Sequence, residues 1–305
     1  MIYLITGATG LVGNVIKQQC FDSDIKVHYL TTSKRKIIVS NKEHGFYWNP
    51  KQGKIDLDAF KGVSNIIHLA GATVAKRWTD SYKKEILDSR INTTQLLFNS
   101  LKKIEHQVDQ IISASAIGIY PDSLTNYYME SHEEKSNDFL GMVVKQWEAE
   151  VDKLSKLGIS VAKVRIGLVL SEKGGALPQM AKPVQFGVGS AFGSGKQWQS
   201  WIHVEDLAGI FLFLAKHNLI GIFNGVSPNA IPQNKLIKHI GKVLDRPVFL
   251  PNIPPFIAKM LLGEMSQLLL SSQRVCSGKI GQHNYKFKFA TIESALNNLL
   301  ANKNS

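Results

Sequence analysis

The chain has 305 residues, 44% of them hydrophobic and 20% charged, with two cysteines. That length buries a large core, and the composition excludes a disordered tail protein or a disulfide-stapled miniprotein. Thirty-six Lys and Arg against twenty-four Asp and Glu leave a formal net charge of +12, which suits nucleic acid, an acidic membrane or a phosphate-bearing ligand.

Short β-rich runs alternate with longer helical patterns through the first two-thirds. The candidate strands are Ile2–Thr6, Lys26–Thr31, Asn65–Leu69, Gln110–Ala114 and Ser160–Ile166. A helix from Leu11 to Phe21 follows the first strand. A second runs from Asp80 to about Lys103, with Leu87, Ile91, Thr94, Phe98 and Leu101 on one face. A third runs from about Asp138 to Leu157 and stops at Gly158, where a left-handed cap belongs. This alternation demands crossover connections and a parallel sheet covered on both faces. The expected fold is α/β, a Rossmann doubly wound parallel sheet. Its domain spans residues 1–170 and takes further elements from the C-terminal part. Beyond residue 170 the texture is loop-rich, punctuated by Gly174, Gly175, Gly187, Gly189, Gly193 and Gly195. Helical patterns return at Val204–Lys216, Pro232–Leu244, Pro254–Leu270 and Ile292–Ala301. Residues 171–305 therefore read as a smaller C-terminal α+β lobe on the substrate side, ending in a helical region.

Thr6-Gly7-Ala8-Thr9-Gly10-Leu11-Val12-Gly13 joins the first strand to a helix. In that context the glycine pattern is a strong dinucleotide signal. Gly7 permits the tight turn, Gly10 lets the backbone approach a pyrophosphate, and Gly13 lets the helix pack close to the strand. Exposed N–H groups along Thr9, Leu11 and Val12, with the helix dipole, then hold the anion. The bland alternative is a glycine-rich turn in an unliganded flavodoxin-like fold. At the end of the second strand an acid would bind the ribose 2′-OH of NAD. Here the chain reads Thr31-Thr32-Ser33-Lys34-Arg35. Hydroxyls and two cations suit the 2′-phosphate of NADP, against the competing reading of a solvated basic turn.

Further segments stand along the whole chain: His68-Leu69-Ala70-Gly71, Lys76-Arg77-Trp78-Thr79, Ser89-Arg90, Ile112-Ser113-Ala114-Ser115-Ala116, Trp147-Glu148 and Arg165-Ile166-Gly167. Gly193-Ser194-Gly195-Lys196-Gln197-Trp198, Trp201-Ile202-His203-Val204-Glu205-Asp206 and Gly263-Glu264-Met265 complete the set. With these the sequence resembles the extended short-chain dehydrogenase/reductase superfamily and its NAD-dependent epimerase/dehydratase-like proteins. More narrowly it resembles the atypical YfcH-like epimerase family. The resemblance implies a homodimer as the common assembly and cofactor contacts at Leu69 and Ala70, and the cofactor expected from Thr31 to Arg35 is NADP(H). Gly71, Glu85, Ser113 and Val169 are further candidate cofactor contacts. Arg90 stands where the extended family usually has asparagine and reads as a cation within reach of cofactor phosphates or ribose, against the competing reading of a solvated helix face. Reductases of the superfamily use a serine, a tyrosine acid/base and a lysine four residues on, which lowers the tyrosine pKa. Ser115 matches the serine. The tyrosine and lysine positions fall on Leu140 and Val144, which keep the spacing of one helix face but carry no proton. The standard dyad is read as absent. Tyr120, in Ile119-Tyr120-Pro121 where the family has Tyr-Tyr-Gly, is the candidate for a relocated proton donor.

Lys196, Trp198, Trp201 and His203 stand close together and read as a substrate wall with one titratable group. Trp201 and His203 also alternate onto one strand face as core residues would, and His203 with Asp206 suits a helix cap. No metal site is expected from nine scattered histidines and two distant cysteines. Ser115 lacks the Gly-x-Ser-x-Gly elbow of a hydrolase nucleophile. Cys20 and Cys276 match no redox spacing and imply free thiols in a reducing compartment. The first strand leaves no room for a secretory signal, and apolar stretches such as Leu207–Ala215 fall short of the ~20 residues of a membrane span. A cytoplasmic protein is expected. The basic residues scatter without an aromatic platform, so the expected partner is a small molecule, with no nucleic acid and no membrane. The leading functional reading is an NADP(H)-dependent oxidoreductase or epimerase-like protein acting on an unidentified small molecule without the Tyr-x-x-x-Lys dyad. The alternative is a catalytically silent NADP-binding sensor or scaffold, since fold alone does not decide.

Overall fold

β1 (Ile2–Thr6) leads into α1 (Leu11–Asp22), β2 (Lys26–Thr31), β3 (Glu43–Asn49), β4 (Lys54–Ile55) and β5 (Val63–His68) in a computed structural model that describes residues 1–301. Next come α2 (Asp80–Leu101), β6 (Gln110–Ala116), β7 (Tyr127–Tyr128), α3 (Phe139–Asp152) and β8 (Ser160–Ile166). The chain continues through β9 (Leu168–Leu170), α4 (Ala176–Gln185), β10 (Trp198–Gln199), β11 (Trp201–His203), α5 (Val204–Lys216) and β12 (Gly221–Gly225). It ends with β13 (Ile231–Pro232), α6 (Gln233–Val243), α7 (Pro255–Leu262), α8 (Gln267–Leu270), β14 (Arg274–Val275), α9 (Gly278–Gln282) and α10 (Ile292–Leu300).

Eight strands form one sheet in the order β12-β8-β6-β5-β1-β2-β3-β4. Every pairing is parallel except β3 with β4 at the edge. The chain winds outward from β1 to β3, then returns to lay β5 on the other side of β1. That reversal puts the crevice where doubly wound sheets bind ligands, outside the carboxyl ends of β1 and β5. At the opposite edge, the Asn224 N–H of β12 donates to Glu130 Oε1 at 2.8 Å, and the Ile222 carbonyl accepts from Lys279 Nζ at 2.7 Å.

All five candidate strands lie in this sheet, but the sequence hid three more, β3, β4 and β12. β3 carries a glycine and polar residues at its start. Gly45 is required there, because a Cβ would fall 2.5 Å from the Tyr29 ring. β12 begins and ends in glycine, and a Cβ on Gly225 would meet Val164 at 2.7 Å. The third helix starts as expected, with the Asp138 carboxylate capping the Gly141 N–H at 2.7 Å. It tightens to a 3₁₀ turn over Lys153–Leu157 and closes on Gly158 at φ 78°. The single helix expected over Pro254–Leu270 is corrected to α7, a short turn and α8, because Gly263 adopts φ +61°. The loop expected after Gly175 contains a helix, α4, masked by its internal Pro183.

Two large apolar cores result, with two small clusters beside them, one about Tyr120, Tyr128 and Val144 and one about Trp78, Ile86 and Val143. The larger lies about the sheet and joins Leu4, Ile5, Ile66 and Ile111 to Leu207, Ile210, Phe211 and Leu214 of α5 and Phe223 of β12. The smaller joins Leu177 of α4, Trp201, Leu236 and Ile240 of α6, and Leu296 and Leu299 of α10. α5 thus belongs to the sheet layer although it follows part of the second lobe in sequence. Among the described residues no helix is long and apolar enough to cross a membrane.

Candidate functional site

The β1–α1 turn carries the geometry an anion needs. Gly7 sits at φ +71°, a region that side chains disfavour. The Gly10 N–H closes the turn on the Gly7 carbonyl at 2.9 Å. Gly13 faces that carbonyl so closely that a Cβ would lie 2.3 Å from it. Gly10 is the N-cap of α1, no side chain caps it, and no acid occupies the first turn. The helix start therefore keeps its partial positive charge for a ligand. Thr9 and Gly10 are exposed, and Leu11 and Val12 are half-buried.

Across the turn, Thr6 and His68 organise the end of β5. Thr6 Oγ1 lies 2.8 Å from His68 Nδ1, and His68 Nε2 lies 3.0 Å from Thr94 Oγ1. Thr94 spends its own proton on the Arg90 carbonyl at 2.8 Å. It therefore accepts from His68 Nε2–H, and Thr6 donates to Nδ1. Thr6 Oγ1 in turn accepts the Leu69 and Ala70 N–H groups at 3.0 and 3.1 Å. Full burial holds the His68 pKa down to about 4, so the ring is neutral. Leu69, Ala70 and Gly71 are thereby fixed beside Gly7, whose Cβ position lies 3.1 Å from the Leu69 carbonyl carbon.

At the end of β2, Thr31 is buried and its Oγ1 accepts the Ser33 N–H at 3.2 Å. The next turn is anchored by Tyr29, whose hydroxyl donates to the Lys36 carbonyl and accepts the Ile38 N–H. Thr32, Lys34 and Arg35 are exposed. Lys34 Nζ stands 5.4 Å over the Tyr47 ring, and no described carboxylate pairs with either cation. A dinucleotide with a 2′-phosphate fits this donor set. Arg90, on α2, donates to the carbonyls of Ile86 and Ala72 at 2.8 and 3.2 Å and lies over the Trp147 ring. Burial lowers its pKa to about 10. Its side chain lies 3.3 Å from the Cβ position of Gly71. Glu85 is exposed one turn earlier, Val169 is half-buried on β9, and Ser113 is buried with its hydroxyl on the Ala114 carbonyl.

The carboxyl end of β6 looks different. Ser115 donates to Glu148 Oε1 at 2.5 Å. Arg165 grips the same carboxylate through Nε and Nη2 at 2.8 and 2.9 Å. Its Nη1 donates to the Tyr120 hydroxyl at 3.0 Å, and Tyr120 donates to Asn224 Oδ1 at 2.7 Å. Burial pushes the Glu148 carboxyl up, but the hydrogen bonds and charge of Arg165, with Ser115 and Lys163, outweigh it and hold Glu148 below the usual carboxylate range. Burial raises the Tyr120 pKa against the opposing pull of Arg165. Tyr120 is wholly buried and stacked on Tyr128 at 5.1 Å. The expectation that Tyr120 is a relocated proton donor is therefore corrected, because its proton and its acceptor site are both committed inside the protein. Leu140 is half-buried against Gly118, and Val144 is buried with Tyr120 and Tyr128. The Tyr-x-x-x-Lys spacing does occur, at Tyr47 and Lys51, which corrects the reading that it is absent. Those residues lie on β3 and the turn after it, by the sheet edge and not on one helix face.

In the second lobe the four grouped residues separate. Lys196 is exposed, and Trp198 is half-buried with the Arg274 guanidinium 4.5 Å over its ring. Trp201 is wholly buried in the smaller core and donates to the Asn229 carbonyl at 2.8 Å. His203 stacks on Phe289, caps α5 by accepting the Glu205 N–H at 3.1 Å, and meets Asn298 Oδ1 at 3.1 Å. Burial lowers its pKa. The substrate roles expected for Trp201 and His203 are corrected: one is core and the other is a helix cap. Glu148 and Arg165 were not singled out as site residues. Their signal was an acid on the apolar face of a helix and a cation inside an apolar strand, which burial must pair.

Residues 3–224 match the NAD dependent epimerase/dehydratase family, and residues 253–299 match DUF1731, a domain of unknown function. An epimerase family protein of Staphylococcus saprophyticus is 36% identical over 299 residues, covering 98% of this chain and 99% of its own. Another from Staphylococcus epidermidis is 37% identical over 303 residues, covering 98% of both. The human epimerase family protein SDR39U1, solved with NADPH, superposes with a TM-score of 0.85 at 27% identity, covering 99% of this chain and 100% of that one. A nucleoside-diphosphate sugar epimerase from Corynebacterium glutamicum gives 0.79 at 27% identity, and this chain spans 58% of its length.

Proposed function

The chain belongs to the NAD-dependent epimerase/dehydratase family, and on that premise we propose that it binds NADP(H) and performs hydride-transfer or epimerase-like chemistry on a small molecule. The observation that carries this reading is an uncapped α1 N-terminus after β1 together with two exposed cations, paired with no described carboxylate, at the end of the neighbouring β2. Gly7, Thr9, Gly10, Leu11, Val12 and Gly13 would hold the pyrophosphate, and Thr31, Thr32, Ser33, Lys34 and Arg35 the 2′-phosphate. Leu69, Ala70 and Gly71 would flank the adenosine side, with Arg90 behind them. The NADPH in the human relative supports the same choice. Bound nicotinamide supplies hydride transfer. The Ser115 hydroxyl hydrogen is engaged in the bond to Glu148, so toward a substrate the oxygen offers lone pairs and accepts from an alcohol. The free thiols Cys20 and Cys276 support a reducing, cytoplasmic setting. Fluorescence titration tests the cofactor: NADPH should bind more tightly than NADH, and equal affinity rejects the preference.

A second reading, a silent NADP-binding sensor, is favoured by Leu140 and Val144 and by the closed Ser115–Glu148–Arg165 node. A panel of carbonyl compounds and sugar nucleotides, followed by NADPH oxidation, separates the two. Tight NADPH binding with no turnover across the panel favours the sensor.

A further inference from the structure

The surface of the second lobe combines large exposed apolar side chains with unpaired cations. Phe186 and Val188 follow α4, Phe249 and Leu250 follow α6, and Phe256, Met260 and Leu261 cover the outer side of α7. Phe186 and Phe249 are 73% and 72% exposed, which no folding requirement explains. The three segments adjoin. Arg246 Nε donates to the Gln185 carbonyl at 3.3 Å. The Ile253 N–H, just before α7, donates to Ala191 at 2.8 Å, and Ala191 shares a cavity wall with Phe249. Lys235, Lys238 and Lys242 are exposed at i, i+3 and i+7, one stripe of α6, with Leu236, Ile237 and Ile240 buried beneath. Lys182 and Lys259 are exposed on α4 and α7. None of these five lysines forms an ion pair with a described residue; the one ion pair on α6 joins His239 to Glu293. Asp245, at the end of α6, is the acid within this group.

Between the stripe and the apolar tip lies a cavity of about 340 Å³, lined by Asn234, Ile237, Lys238, Phe249, Leu250 and Asn252 among others. Asn234 and Asn252 supply polar side chains to its wall. An ammonium and an aromatic ring on one wall suit a ligand with an anion and an apolar body.

We propose that this face is a peripheral docking surface for an anionic phospholipid membrane. Phe249, Leu250 and the α7 side chains enter the headgroup boundary, the α6 lysines meet lipid phosphates, and the cavity takes one anionic headgroup beside Lys238. A peripheral surface needs no spanning helix, so the lack of one does not bear on it. Full-length protein should cosediment with phosphatidylglycerol/phosphatidylcholine vesicles at low salt, and lose binding with phosphatidylcholine alone or in high salt. Lys235→Gln, Lys238→Gln and Lys242→Gln should each weaken binding about fivefold, and Phe249→Ser should weaken it further at unchanged thermal stability. Equal binding to both vesicle types, no binding to either, or retained binding in the triple lysine variant overturns the proposal. So does binding to polyglutamate without binding to vesicles, which would point to an acidic protein partner instead.

Discussion

Around α1 and the end of β2 the chain leaves its polar groups unpaired, with an uncapped helix start and two cations lacking carboxylates. Three strands from β2 in the sheet, around Ser115, it pairs them: Ser115, Glu148, Arg165, Tyr120 and Asn224 exchange hydrogen bonds among themselves. Unpaired groups on a surface cost little, because water serves them until a ligand arrives. Buried groups have no such substitute and must find partners within the fold. One side is therefore built to receive an anion, and the other to hold three strands and a helix in register.

The strongest way to break that contrast is at the paired side. Glu148→Ala leaves Arg165 charged and buried, which should cost about 3–5 kcal/mol in denaturant unfolding. A loss under about 1 kcal/mol would mean that water reaches the node. Next comes His68. Its folded pKa of about 4 lies below the unfolded value, so the unfolded chain binds the extra proton. Stability attributable to the neutral ring is complete above the unfolded pKa of roughly 6.5 and drains away as pH falls toward 4, by at most about 3 kcal/mol. His68→Gln should flatten that part of the stability curve; an unchanged slope refutes the assignment. On the open side, Gly13→Val places a side chain against the Gly7 carbonyl and should weaken NADPH binding roughly a hundredfold in fluorescence titration. The smallest effect should come from Lys34→Ala with Arg35→Ala. It should weaken NADPH about tenfold and leave NADH unchanged, since only the 2′-phosphate differs. Equal losses for both cofactors would assign those cations to something other than the 2′-phosphate.

The open side was legible in the sequence because its requirements are local. Gly7, Gly10 and Gly13 are fixed by one turn, and Thr31 to Arg35 by the end of one strand. The paired side depends on residues brought together from β6, α3, β8 and β12, and no spacing rule reports that convergence. Tyr120 shows the difference. Its nearness to Ser115 in sequence suggested a proton donor, whereas Asn224, 104 residues on, decides what its hydroxyl does. His203 was legible as a cap from Asp206 and the following helix, but Phe289 and Asn298, which enclose it, come from the far end of the chain. β12 was hidden because Gly225 suits close approach to Val164, and neither of its glycines has any intrinsic strand preference.

The margins of the sheet set a boundary on self-association. A strand left open at either side is a template for another chain. Here β4 turns antiparallel and ends after two residues, while Glu130 and Lys279 occupy backbone groups of β12. Neither border offers a run of free amides. The main sheet therefore gives a second copy no ready strand to extend, and the same closure guards a crowded solution against fibrous polymerisation.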